Sequence, residues 1–104
     1  MSDSFLTLDP RMNVVAWTSG VQEILEYEPG EILGRPVLVL VPEDQRAAVA
    51  AVMRRVAEEG RVHGFHAERM TRSGRRVKVV ADLLAIRTPA GDHCATQITV
   101  RRAP

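Results

Sequence analysis

The spacing of apolar residues near the N-terminus predicts a β-hairpin. Residues 5–8 alternate weakly between apolar and polar side chains, and residues 14–17 are mostly β-branched or aromatic. Between them, residues 9–13 contain an Asp-Pro pair and an asparagine, which favour a turn. Two short strands joined by such a turn are expected to pair in antiparallel fashion.

Helical spacing dominates the middle of the chain. Val21, Ile24 and Leu25 predict a short helix, and residues 31–33 predict one further turn. Residues 43–59 predict the longest helix, because four apolar side chains recur at i, i+3, i+4 and i+7. This stripe consists of Val49, Val52, Met53 and Val56.

The C-terminal part predicts three strands, over residues 63–71, 77–87 and 93–101, with turns at Gly74 and Gly91. Consecutive strands with short turns form an antiparallel meander. The middle strand is apolar at its odd and its even positions, so both of its faces are expected to be covered. Helices of the domain can cover one face, and the other then needs a flanking helix or a second subunit.

Composition narrows the functional classes. The chain has 104 residues, of which 45% are hydrophobic and 26% are charged, as in an ordinary globular domain. A net charge of +1 gives no reason to expect nucleic acid or an anionic membrane as partner. No apolar run is long enough for a membrane helix, and the N-terminus lacks the pattern of a signal peptide. The single cysteine, Cys94, excludes an internal disulfide and fits a reducing compartment, so we expect a cytoplasmic protein.

Several segments, taken in order, resemble the PAS domain family. Residues 9–18 resemble its opening hairpin, with Trp17 at the usual aromatic position, and residues 21–36 resemble the segment in which Gly-Tyr precedes Glu-Ile-Leu-Gly-Lys. Residues 40–44 resemble the entry to the long helix, and residues 71–77 resemble the Lys-Asp-Gly-Ser hairpin. The resemblance implies an α+β fold in which small helices and one long helix pack on one face of a five-stranded antiparallel sheet. It predicts a single domain over residues 1–104, with a core at about 4–101.

The chain departs from the family pattern at several positions. Thr18 replaces the common asparagine after the tryptophan, Glu26 replaces the glycine before Tyr27, and Ser73 replaces the aspartate of the hairpin. The Asp-x-Thr that often links such a domain to an output helix is missing from the C-terminal residues.

The resemblance implies a non-catalytic sensory or regulatory domain of a signal-transduction protein. It would bind a small apolar ligand in its core cavity and transmit through the outer face of the sheet. The alternative is a ligand-free module that acts only in dimerisation or protein–protein interaction. We expect a homodimer, and an effector domain in cis or in trans that is a kinase, cyclase, phosphatase or transcription factor.

The residues argue against haem, against a covalent flavin adduct and against catalysis, and leave non-covalent flavin open. The light-sensing branch forms a flavin adduct through the cysteine of Gly-Arg-Asn-Cys, and Val37 takes that position here. Haem-binding relatives use a histidine of the long helix, and this helix contains none. The histidines and Cys94 show no metal-ligand spacing. No nucleophile elbow or phosphate-binding loop is present, so no enzyme activity is expected.

Candidate residues for the cavity come from the helices and from one parity of the last three strands. The candidates are Trp17, Ile24, Leu25, Ile32, Leu33, Leu38, Val49, Met53, Val56, Phe65, Ala81, Leu83, Gln97 and Thr99. Candidates for a dimer face on the outer side of the sheet are Phe5, Val80, Leu84, Ile86 and Ile98. By position relative to Gly74 and Gly91, the resemblance favours this parity, and a slip of one residue would exchange the two sets.

Overall fold

The computed structural model describes residues 4–104 as a five-stranded antiparallel sheet with helices on one face. The strands lie in the order β2-β1-β5-β4-β3, which places the N-terminal strand between its hairpin partner and the C-terminal strand. The strands are β1 (Phe5–Leu8), β2 (Val14–Trp17), β3 (Arg61–Met70), β4 (Arg76–Arg87) and β5 (His93–Arg102). The predicted fold class and the predicted order of elements along the chain are confirmed. Residues 1–3, part of the segment that argued against a signal peptide, lie outside the described residues.

The helices lie between β2 and β3 in the chain. They are α1 (Ser19–Leu25), α2 (Pro29–Ile32) and α3 (Arg46–Glu59), and 3-10 turns occupy Val37–Leu40 and Glu43–Gln45. The second 3-10 turn leads directly into α3, so the predicted long helix begins with a tighter turn than the rest. Helix α3 ends at Gly60, whose φ of 84° requires the left-handed conformation that glycine adopts without strain.

Helix α3 packs against the sheet through one stripe. Val49, Val52 and Val56 are buried and Met53 is half-buried, while the residues between them are exposed. The opposing side chains come from the inner face of the sheet, where Val62, Ala81 and Leu83 are buried with them. A second part of the core lies under α1, α2 and the first 3-10 turn, around Trp17 and Leu40. The inner face of the sheet is therefore covered along its length.

The predicted parity of β5 is wrong because the strand contains a β-bulge. Arg87 of β4 pairs with His93, but Ile86 pairs with Ala95, so Cys94 is an extra residue on β5. Counting from the turn without this residue would set Leu83 opposite Gln97, whereas Leu83 pairs with Ile98. Every side chain of β5 beyond the bulge therefore lies on the face opposite to the predicted one.

A second bulge bends β3 near its start. Val62 pairs with Leu83 and Phe65 with Ala81, so His63 and Gly64 together lie opposite the single residue Asp82. Gly64 has a φ of 69°. The Asp82 carboxylate accepts hydrogen bonds from the Gly64 amide and from His63 Nδ1, both at 2.8 Å. The bulge returns Phe65 to the same face as Val62, which agrees with the predicted parity of β3 and β4.

Two departures from the family pattern contact each other in the structure. Glu26, at the C-terminus of α1, has a φ of 72°, a conformation that favours the glycine it replaces. Its carboxylate accepts hydrogen bonds from the Ser73 hydroxyl, at 2.9 Å, and from the Arg75 guanidinium. These bonds lower the pKa of the Glu26 carboxyl from 4.5 to about 2, and the bond from Ser73 has a larger effect than the bond from Arg75. The pair Glu26–Ser73 ties α1 to the hairpin between β3 and β4.

This contact predicts an acid-dependent loss of stability. A carboxylate whose folded-state pKa is depressed stabilises the fold above its unfolded pKa, and that contribution disappears as the pH falls toward the folded pKa. For Glu26 the window runs from 4.5 down to about 2. We expect the free energy of unfolding to fall less steeply in this window for Glu26→Gln than for wild type, as measured by urea denaturation. Glu58→Gln, at an exposed glutamate of α3, is the matched control, and equal slopes for wild type and Glu26→Gln would contradict the account.

Candidate functional site

A small enclosed cavity lies between the inner face of the sheet and α3. Its volume is about 40 Å³ and its wall is almost entirely apolar. The wall is formed by Leu6, Leu8, Leu25, Val37, Leu40, Val41, Val49, Val52, Met53, Phe65, Arg69, Val79, Ala81, Leu83, Ile98 and Val100. Pockets for drug-sized ligands usually measure about 300–1,000 Å³, so this space admits only a molecule of a few non-hydrogen atoms unless the helices move.

Some predicted cavity residues lie in this wall and others lie in the surrounding core. Those in the wall are Leu25, Val49, Met53, Phe65, Ala81 and Leu83. Those buried in the core beside it are Trp17, Ile24, Ile32 and Val56. Leu38 is half-buried outside the wall, and Leu33 is 46% exposed because it follows the last turn of α2.

Gln97 and Thr99 do not line the cavity, and this part of the prediction is wrong. Both lie on the outer face of the sheet, around a shallow depression that they share with Asp82 and Leu84. Ile98, predicted for the outer face, lies in the cavity wall instead. The bulge at Cys94 causes all three errors, because it reverses the parity of β5.

The sequence analysis missed one residue that changes the chemistry of the cavity. Arg69 has the same parity in β3 as Phe65 and lies in the cavity wall. Alternation along β3 could have revealed it, since Phe65, four positions earlier, was assigned inward. A charged side chain was not expected on the inner face of a sheet.

Arg69 is held at the wall by neutral acceptors. Its Nη1 donates to the backbone carbonyl oxygen of Glu68 at 2.7 Å and, at 3.5 Å, to Oε1 of Gln45. The same Gln45 oxygen accepts from the Glu68 amide at 2.9 Å, which joins the residue preceding α3 to β3. Burial lowers the pKa of Arg69 below its usual value. An arginine nevertheless remains protonated at neutral pH, so the wall carries a positive charge.

The outer face of the sheet holds the other predicted residues. Leu84 and Ile86 are 39% and 37% exposed, and they are two residues apart on one face of β4. Phe5 pairs with Thr99 and is half-buried. Val80 is buried although it lies at an outward position of β4, where His66 and Arg101 are its cross-strand partners.

Within residues 4–104, no group of three or more potential ligands could hold a metal ion. None of the described histidines lies in the cavity wall. His63 bonds Asp82 on the outer face, and the Nε2 atom of His93 lies 2.9 Å from the Thr96 hydroxyl. None of the described helices is both long enough and apolar enough to cross a membrane.

Short helices and one long helix pack on one face of an antiparallel sheet, and a small apolar cavity lies between the two layers. This arrangement defines a class of small α+β domains. The family model described as "PAS fold" matches residues 1–103. The chain therefore belongs to the PAS fold family. Domains of this family are generally sensory modules.

Solved structures show the same fold at low sequence identity. The PAS domain of a protein from Colwellia psychrerythraea is 16% identical, with a TM-score of 0.90 over 97% of this chain and 86% of that one. The PAS-B domain of Drosophila melanogaster Cycle is 11% identical, with a TM-score of 0.86 over 99% and 100%. The light state of the blue-light photoreceptor Aureochrome1 LOV is 15% identical, with a TM-score of 0.82 over 99% and 83%. Among curated proteins, no relative matches this chain.

The corrected parity of β5 predicts a large loss of stability for a charged substitution at Ile98 and a small change for the same substitution at Gln97. Ile98→Arg places an unpaired charge in the core and should destabilise the fold by several kcal/mol, about 3 or more. Gln97→Arg places the same side chain on the outer face and should change the stability by about 0.5 kcal/mol or less. Urea denaturation of the two variants measures both effects. If Gln97→Arg lowered the free energy of unfolding more than Ile98→Arg, the parity predicted by counting from the turn would be correct.

Proposed function

We propose that this chain is a non-catalytic sensory domain whose input is a small apolar or amphipathic molecule bound in the core cavity. The observation that carries the proposal is the enclosed apolar space between α3 and the sheet. Binding there would change the packing of α3 against β3 and β4, and the sheet would transmit that change to its outer face. The output goes to an effector domain, in the same chain or in another.

The size of the cavity restricts the ligand. A space of about 40 Å³ excludes a molecule as large as a fatty acid or an aromatic compound, unless the wall rearranges. Met53 is the wall residue best suited to adapt, because its unbranched thioether side chain fills irregular spaces easily. The ligand in the present packing is therefore a molecule of a few non-hydrogen atoms.

Structures of a neighbour are consistent with ligands of this size. The PAS-B domain of Drosophila melanogaster Cycle has been solved with bound ethylene glycol, and a variant of the same domain with bound glycerol. Both molecules contain only a few non-hydrogen atoms. They support a search for a ligand on this scale.

Xenon tests whether the cavity admits a guest, because it is small, neutral and prefers apolar cavities. Under xenon pressure, we expect methyl chemical-shift changes confined to cavity residues such as Met53, Leu83 and Ile98 in NMR spectra of the folded protein. Ala81→Leu should abolish them, because it fills the space from β4.

Ala95→Leu is the matched control for this experiment. Ala95 pairs with Ile86 and lies on the outer face, so the same change of side chain leaves the cavity open. Persistence of the xenon shifts in Ala81→Leu, or their absence in wild type, would contradict a ligand-admitting cavity.

A second candidate function is dimerisation through the outer face of the sheet. The exposed pair Leu84 and Ile86 gives this face an apolar centre. Arg61 and Asp82 lie beside Leu84 around the same depression and carry opposite charges. A two-fold axis that passes over Leu84, midway between Arg61 and Asp82, would place Arg61 of one copy opposite Asp82 of the other. That self-complementarity favours a second copy of this chain as the partner.

Leu84→Arg should convert such a dimer to a monomer, because it puts an unpaired charge at the centre of the interface. We expect the dimer dissociation constant, measured by analytical ultracentrifugation, to rise at least about tenfold while circular dichroism stays native. Val15→Arg is the control, since Val15 is 52% exposed on β2 and lies outside this patch. A monomeric wild type, or a Leu84→Arg dimer of unaltered affinity, would exclude this interface.

A further inference from the structure

Arg69 is the one charged side chain in the wall of the cavity as formed by residues 4–104. It extends from the inner face of β3, and the rest of the wall consists of aliphatic and aromatic side chains and Met53. A guanidinium carries five N–H donors in a fixed planar fork. The two acceptors it contacts here, the Glu68 carbonyl oxygen and Gln45 Oε1, both interact with the same nitrogen, Nη1.

Two carboxylates next in sequence to Gln45 and Arg69 pair with a different arginine. Asp44 pairs with Arg76 at 2.7 Å, and the Glu68 carboxylate lies 3.8 Å from the same arginine. Among the ion pairs of the described residues, none includes Arg69. The guanidinium is therefore a partly buried cation with neutral partners only.

Burying a cation without a counter-charge is costly, since its loss of hydration is not compensated by an ion pair. A carboxylate is the complement of a guanidinium, because its two oxygens accept two parallel N–H bonds. An apolar cavity with such a group at its wall matches a molecule that has a carboxylate head and a short apolar tail. The lowered pKa of Arg69 is consistent with an incompletely compensated charge.

We propose that the ligand of the cavity is a short-chain carboxylate, bound with its head on Arg69 and its tail against Phe65 and Leu83. This inference rests on the proposed function, because it requires that the cavity admit a ligand at all. The small volume limits the tail to a few carbon atoms. Selectivity for the anion over neutral molecules of the same shape then depends on a single side chain.

Propionate and propionamide test the inference, because they have the same shape and differ in charge. We expect wild type to bind propionate at least about tenfold more tightly than propionamide at constant ionic strength, measured by NMR titration of cavity methyl groups. Arg69→Gln should remove this preference while xenon still enters the cavity. Arg101→Gln, at an exposed arginine on the outer face of β5, should keep the preference and so controls for general loss of positive charge.

The possible outcomes separate the two proposals. If xenon enters but propionate binds no better than propionamide, the carboxylate assignment is wrong and the cavity remains a ligand site. If the preference for propionate survives in Arg69→Gln, the anion binds elsewhere and the assignment is also wrong. If neither xenon nor propionate perturbs the cavity methyl groups, the proposed function itself fails.

Discussion

The structure depends on one constraint, which is that the inner face of the sheet must be mainly apolar so that the helices can pack on it. Helix α3 and the shorter helices cover that face, so any strand in the wrong register would bury polar side chains and expose apolar ones. In β5 the register is set by the bulge at Cys94, which brings Ile98 and Val100 inward and turns Gln97 and Thr99 outward. In β3 the bulge opposite Asp82 does the same for Val62 and Phe65. The two bulges together define the wall of the cavity.

The same packing explains why Arg69 is informative. An inward charged residue in a sheet covered by helices has to lie at the edge of the core or be matched by a counter-charge. Here Gln45, at the entry to α3, provides a neutral acceptor, and the Arg69 side chain lines the cavity. Arg69 therefore lines an apolar space without a counter-charge, and this is the basis for proposing a carboxylate as the ligand. At the surface, by contrast, the Glu26 carboxylate has a counter-charge, because it contacts the Arg75 guanidinium as well as the Ser73 hydroxyl. Glu26 and Ser73 both depart from the family pattern, and each supplies the other's hydrogen-bond partner.

The sequence predicted the order and type of the main elements, because turn residues separate the strands and the apolar stripe of α3 is regular. It also predicted the inward parity of β4, since Val79, Ala81 and Leu83 lie on the cavity side. The parity of β5 was wrong, because a bulge adds one residue without leaving a recognisable signal at Cys94. Arg69 was missed because the inward parity of β3, which was assigned through Phe65, was not followed as far as this residue. The size of the cavity depends on how closely side chains pack across it, which no pattern along a single chain expresses.

The central claim is that β5 presents Ile98, and not Gln97, to the cavity opposite Leu83. Nuclear Overhauser spectroscopy on protein with labelled isoleucine, leucine, valine and methionine methyl groups tests it most directly. The account predicts cross-peaks from the Ile98 methyl groups to those of Leu6 and Leu83, which are its cross-strand partners on the inner face. Cross-peaks from Ile98 to Leu84 and Ile86 instead, with none to Leu83, would place Ile98 on the outer face and contradict the account.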